Sequence, residues 1–308
     1  MALDHSWPVD FIFKAEKFWD FFASHPKPSA TTTIITSTIV PSAPLLTPTP
    51  LPFPKDYKQT FVIGEYHLTL TCKGYGEPTI ILENGYGEIS WDPEGLYRFT
   101  HLGRVCTYAR PGVNGERVTH LRTVMDQVKD LHDLLTQAGV PGPYILLGYS
   151  IAGSHLLLFT DLYPDEVVGL VCVECTTPVF YEKVLEKWGV EQPDDPSWLK
   201  DKRKKYQNQF EDGVEKIDSV ESAAQVRQVT SLGNRPFVVL IEEDLTPGNS
   251  KWSQIEKDVW NETTLGLSKL SSRGRLVIVP NCTYVFPIMT TISVDAALEE
   301  VYQAIKGQ

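Results

Sequence analysis

From about Tyr57 onward, short apolar runs alternate with longer segments whose apolar positions recur at helical spacing. Phe61-Val62-Ile63 and Tyr66–Thr71 predict an opening hairpin. Thr79–Leu82, Val105–Tyr108, Tyr144–Leu147 and Val168–Val173 read as strands buried on both faces, as in a parallel sheet. Between them Leu121, Val124, Val128, Leu131 and Leu135 mark one amphipathic helix and Ile151–Leu162 another. Residues 178–234 are charged, carry Pro193 and Pro196 and break the alternation, which predicts an inserted helical cap. The pattern resumes with Phe237–Ile241, a helix over 251–270, the strand Leu276–Val279 and a last helix carrying Val294, Leu298, Val301 and Ile305. Alternation of this kind predicts an α/β domain over residues 57–308, built on a doubly wound, mostly parallel sheet.

The N-terminal part follows other rules. Phe11, Ala15, Phe18, Trp19 and Phe22 share one face of a helix predicted within residues 1–25, with Lys14, Lys17 and Asp20 on the remainder. Residues 26–56 are rich in Pro and Thr and read as an extended tether that cannot form a core. The aromatic stripe of Phe11, Phe18, Trp19 and Phe22 therefore either folds back on the α/β domain or docks on a protein partner or a membrane surface.

Composition narrows the function classes. A net charge of −11 argues against a nucleic-acid-binding surface, since phosphate contacts need clustered Lys and Arg. The one dense basic run, Lys200 to Lys205, is broken by Asp201 and reads as a solvated helix face. Five cysteines without framework spacing give no sign of a disulfide-stapled fold, and Cys172 and Cys175 read as buried strand cysteines rather than a metal site. The pattern shows neither a signal peptide nor a membrane-spanning helix. The sequons at Asn261 and Asn281 would matter only in a secretory compartment.

The chemistry gathers around Tyr144-Ile-Leu-Leu-Gly148-Tyr149-Ser150-Ile151-Ala152-Gly153, an apolar strand running straight into a helix with a serine at the corner. A turn this tight exposes the hydroxyl above the sheet, and it needs small residues two before and two after the serine, here Gly148 and Ala152. Beside such a corner, backbone N–H groups can stabilise an oxyanion. The candidates are Ile151, directly after the serine, and Tyr86, in the glycine-rich loop Leu82-Glu83-Asn84-Gly85-Tyr86-Gly87. The alternative reading of that loop is a plain glycine turn.

Across about residues 58–306 the chain resembles the bacterial α/β-hydrolase family of esterase-like enzymes. Pro78-Thr-Ile-Ile-Leu-Glu-Asn-Gly, Arg104-Val-Cys-Thr-Tyr-Ala-Arg-Pro-Gly, Gly142-Pro-Tyr-Ile-Leu-Leu-Gly-Tyr-Ser and Tyr163-Pro-Asp-Glu-Val-Val-Gly-Leu-Val carry the likeness. Ser222-Ala-Ala-Gln-Val-Arg and Arg275-Leu-Val-Ile-Val-Pro add to it. The resemblance implies an α/β-hydrolase fold and cleavage of esters, amides or related bonds by a Ser–acid–His triad, without a cofactor or metal. Glu174 and Asp244 occupy the two positions where the family supplies its acid, and Tyr284 stands where it places its histidine. All seven histidines (His5, His25, His67, His101, His120, His132, His155) precede the serine or closely follow it. The family's Tyr-Asp-Arg is Tyr108-Ala109-Arg110 here.

A serine hydroxyl is a poor nucleophile until a neighbouring base accepts its proton, and losing a triad member costs about 10⁴ to 10⁶ in turnover. A phenol is a weak replacement, with roughly one in a thousand ionised at pH 7. Two expectations follow from different classes. One is a non-catalytic or very weakly active structural or binding subunit docking through its N-terminal segment. The other is a serine hydrolase using Ser150 with an unusual base, acting on a small ester-like ligand under the cap.

Overall fold

A computed structural model describes residues 55–87, 95–208, 210–243, 250–280 and 289–307. The aromatic stripe of Phe11, Phe18, Trp19 and Phe22, residues 1–54 as a whole, Asp244 and Tyr284 lie outside the described residues.

Eight strands form one sheet: β1 (Asp56–Ile63), β2 (Tyr66–Lys73), β3 (Thr79–Glu83), β4 (Arg104–Tyr108), β5 (Tyr144–Tyr149), β6 (Val167–Val173), β7 (Phe237–Glu242) and β8 (Gly274–Val279). Their order is β1-β2-β4-β3-β5-β6-β7-β8. The β1–β2 and β2–β4 pairs are antiparallel, and every later pair is parallel. β1 begins at Asp56 rather than at Phe61, because its antiparallel ladder with β2 extends to an Asp56–Lys73 pair. Seven α-helices are described: α1 (Val124–Ala138), α2 (Ala152–Leu162), α3 (Pro178–Trp188), α4 (Ser197–Asn208), α5 (Ser219–Gln228), α6 (Lys251–Ser268) and α7 (Met289–Lys306). None of the described helices is long and apolar enough to cross a membrane.

The strand period of two sorts β5 between two apolar layers. Tyr144 and Leu146 join Val128, Leu131 and Leu157 on one face, whereas Ile145, Leu147 and Tyr149 join Leu298 and Val301 on the other. Both faces are covered, which is why the run carries no charged residue. Helix α1 starts at Val124 because Thr123 and Asp126 form a reciprocal capping box, and it stops at Gly139 in the left-handed conformation. Leu121, expected on that helix, precedes the cap and is half exposed.

Helices α3, α4 and α5 fall between β6 and β7. Phe180, Val184, Trp188 and Leu199 make a small core of their own against Val259 of α6. The basic run departs from the solvated reading at Arg203. Its guanidinium is buried, donates to the carbonyls of Trp188 (3.0 Å) and Gly189, and lies over the rings of Trp188 and Trp252. It substitutes for capping at the end of α3, where carbonyls lack helical partners.

The cysteine reading also needs correction. Cys72 and Cys106 are cross-strand neighbours on β2 and β4 and form a disulfide, and Cys172 and Cys175 form a second at the end of β6. The first pairing depends on strand register between elements 34 residues apart, which spacing alone does not reveal.

Candidate active site

Ser150 sits at the carboxyl end of β5, flanked in the sheet by β3 and β6. Its φ of 57° places a non-glycine residue in the left-handed region, and α2 begins two residues later. The strain persists because both backbone groups of Ser150 are held. Its N–H donates to Val173 (3.1 Å), and its carbonyl accepts from Thr176 (2.8 Å). The small neighbours have a steric cause. A Cβ on Gly148 would lie 2.7 Å from Leu156 Cδ1 and 2.8 Å from the Ala152 methyl. Ala152 is tolerated where a second glycine is usual because Gly148 leaves room for its methyl. A Cβ on Gly153 would lie 2.9 Å from Cys175 Cβ, so the elbow helix rests directly on the chain that follows β6.

That chain carries Glu174, the second strained non-glycine residue of the region, with a φ of 46°. Its N–H donates to Leu240 (2.9 Å), and its carboxylate accepts the backbone N–H of Glu242. Burial raises the Glu174 carboxyl to about 7; the Glu242 N–H opposes the rise and the Glu242 charge adds to it. A raised carboxylate value means that folding favours the protonated form. Stability from this group is therefore greatest at low pH and declines as pH rises from about 4.5 to about 7. Glu174→Gln should remove that decline while still accepting the Glu242 N–H. Denaturant unfolding should show the variant gaining up to about 3 kcal/mol on its parent between pH 5 and pH 8. A difference independent of pH would refute the raised carboxyl.

The oxyanion candidates differ in setting. Ile151 is fully buried at the start of the helix. Tyr86 is partly buried; its hydroxyl donates to the Phe210 carbonyl (3.2 Å), and its ring packs edge-on to Phe210. Burial and the charge of Glu215 push the Tyr86 phenol up to about 12, so it stays neutral. Behind the loop lies a buried ionic group centred on Arg110, with Glu83 and Glu215 as its ion-pair partners. Burial opposes the Arg110 charge, but Glu215 and Glu83 outweigh it and hold the guanidinium ionised. In the sequence Arg110 stands out only by its place in a motif, and Glu215 not at all.

Each described histidine is engaged by another group. His67 meets Glu116, His101 the Arg98 carbonyl, His120 Glu65 and His132 Glu166. His155 is buried, with its ring nitrogens on Gln127 Oε1 (2.8 Å) and the Ile151 carbonyl (3.3 Å); burial and nearby Arg110 keep it neutral. Among the described residues no cluster of His, Cys, Asp or Glu could hold a metal ion. Asp244 and Tyr284, the other two candidates, lie outside the described residues.

Comparison with solved structures establishes the α/β-hydrolase fold. A proline iminopeptidase-related protein of Thermus thermophilus is similar over 81% of this chain and 98% of its own, at 17% identity and a TM-score of 0.55. A thermophilic esterase from Thermogutta terrifontis matches over 82% of this chain and 99% of its own, at 17% identity and a TM-score of 0.51. An α/β-hydrolase enzyme from the metagenome of Mar Chica lagoon sediments matches over 80% and 98%, at 16% identity and a TM-score of 0.51. No family model matches the chain. In sequence it is 31% identical over 115 residues to the Hormonema carpetanum protein named "Probable transporter efuK", covering 35% of this chain and 16% of that protein. It is 26% identical over 116 residues to the uncharacterized protein YbdG of Bacillus subtilis (strain 168), covering 35% of each. The matched stretch thus spans about a third or less of either relative.

Proposed function

We propose that this chain is a weakly active α/β-hydrolase-fold protein that binds a small ester-type ligand at Ser150 and turns it over very slowly. Residues 7–22 would serve as its docking segment for a protein partner or a membrane surface. One observation supports the reading. Ser150 stands strained at a strand–helix corner and bonded at both backbone groups, while every described histidine is taken up by another partner. Such a site can still bind a carbonyl and stabilise developing charge, which retains about 10³–10⁴ over water without the base. The resemblance puts Tyr284 in the histidine's place, and a phenol of ordinary acidity does not fill that role.

A second reading, a serine hydrolase with an unusual base, draws on Glu174. A carboxyl near 7 matches the value that general-base catalysis favours at neutral pH.

Fluorophosphonate labelling and hydrolysis of short-chain nitrophenyl esters test both. The weakly active reading expects labelling over hours, lost in Ser150→Ala, and ester turnover barely above background. Rapid, stoichiometric labelling of Ser150 would overturn it in favour of a working hydrolase. Labelling that persists in Ser150→Ala would remove Ser150 from either reading.

A further inference from the structure

Glu215 belongs to residues 210–218, by which the chain returns from α4 to α5, and it is completely buried. Four N–H groups converge on its carboxylate. Oε1 accepts from the Gly87 backbone (2.7 Å) and Arg110 Nη2 (3.1 Å), while Oε2 accepts from Arg110 Nε (2.6 Å) and Gln127 Nε2 (3.0 Å). Arg110 then spends its remaining donors on the loop after β3. It bonds the carbonyls of Asn84 (2.9 Å) and Gly85 (2.6 Å) and the carboxylate of Glu83. Glu83, Asn84, Gly85 and Gly87 are thus tied, directly or through Arg110, to one carboxylate contributed by the cap.

The return stretch is itself immobilised. Arg122 N–H donates to the Lys216 carbonyl and Asp218 N–H to the Arg122 carbonyl, both at 2.8 Å. A Cβ on Gly112 would lie 2.4 Å from the Val214 carbonyl oxygen, so the two backbones touch. Lys216, next to Glu215, has a φ of 48°. With Ser150 and Glu174 it completes the non-glycine residues held at positive φ among those described. Strain of this kind survives only where surrounding contacts over-determine it, and it concentrates at functional sites.

We infer that Glu215 is a positioning residue: it holds the loop of residues 83–87 in the conformation from which the Tyr86 N–H can serve Ser150. The inference rests on the proposed role of that loop at a slow acylation site. It gives the cap a second task besides covering a ligand, because the cap sets the geometry of the oxyanion loop beneath it.

The test compares the full chain with Glu215→Ala and Glu215→Gln, reading amide exchange of residues 83–87 and the rate at which a fluorophosphonate labels Ser150. Glu215→Ala should speed exchange at Gly87 and slow labelling about tenfold or more, since losing one oxyanion donor alone costs about a hundredfold. Glu215→Gln keeps one oxygen for the Gly87 N–H but turns an amide NH2 toward the Arg110 and Gln127 donors, so it should recover part of both readouts and lie between parent and Glu215→Ala; it is also the variant to read if the alanine form does not fold. Unchanged exchange at 83–87 would overturn the positioning role. Faster exchange with a parental labelling rate would show that Glu215 shapes the loop without serving Ser150, which overturns the inference equally. A parent that does not label at all would sink slow acylation as such, and the exchange readout alone would then decide whether Glu215 holds the loop.

Discussion

Arg110→Ala should lower the melting temperature by about 10 °C. The guanidinium is almost wholly buried between Glu83 and Glu215, which are themselves buried. Its removal takes the counter-charge from two buried carboxylates and one donor from each of the Asn84 and Gly85 carbonyls. Breaking a buried ion pair from one side typically costs about 3–5 kcal/mol, and about 2–4 °C accompanies each kcal/mol in a domain of this size. Burial already raises the Glu83 carboxyl despite Arg110, so part of the loss would be absorbed by its taking up a proton. Arg110→Lys should rescue little, because one ammonium has three donors where Arg110 uses a planar fork against Glu83, Glu215 and two carbonyls. Thermal melts followed by circular dichroism decide it. A shift below about 3 °C in both variants would mean that the group is dispensable to the fold.

The opposite kind of effect is expected from Tyr284→His, a gain of about a hundredfold in the rate of Ser150 acylation. On the proposed reading the missing element is a base, and a positioned general base contributes about 10²–10⁴. The same reading gives the new imidazole a strained serine to deprotonate, a buried carboxyl at Glu174 and a loop bonded to Arg110 as its surroundings. Nitrophenyl-ester turnover with Tyr284→His, and with Tyr284→His combined with Ser150→Ala, measures the gain and assigns it to the serine. No gain would mean that more than the base has been lost.

The parts of this fold that were legible in the sequence are those fixed by neighbours close along the chain. The serine corner announced itself because its steric demands fall on Gly148, Ala152 and Gly153, all within a few residues of Ser150. Buried strands were visible because covering both faces of β3 and β5 keeps the middle of each run, Ile80–Leu82 and Ile145–Leu147, wholly apolar. What the sequence hid depends on distant encounters. The Glu215–Gly87 bond joins residues 128 apart, and Glu215 lies in a charged stretch that resembles solvated surface until its partners are known. Arg203 was concealed in the same way, since a basic run gives no sign that one member turns inward onto Trp188 and Trp252. The Cys72–Cys106 disulfide needed the pairing of β2 with β4 rather than with β3, an order that strand patterning does not encode.

The placement of the tryptophans has a spectroscopic consequence. All four in the described residues, Trp188, Trp198, Trp252 and Trp260, lie in the cap helices or on α6, which packs against them. Trp188 donates its indole N–H to the Trp252 carbonyl and stacks on Tyr206, while Trp260 meets the edge of Phe180. No indole from these residues stands on a strand of the sheet. The ultraviolet emission they contribute is therefore weighted to one region: quenching or a red shift reports chiefly on the cap and α6, and Trp260 alone, packed against the apolar layer of the sheet, carries any signal from the strands.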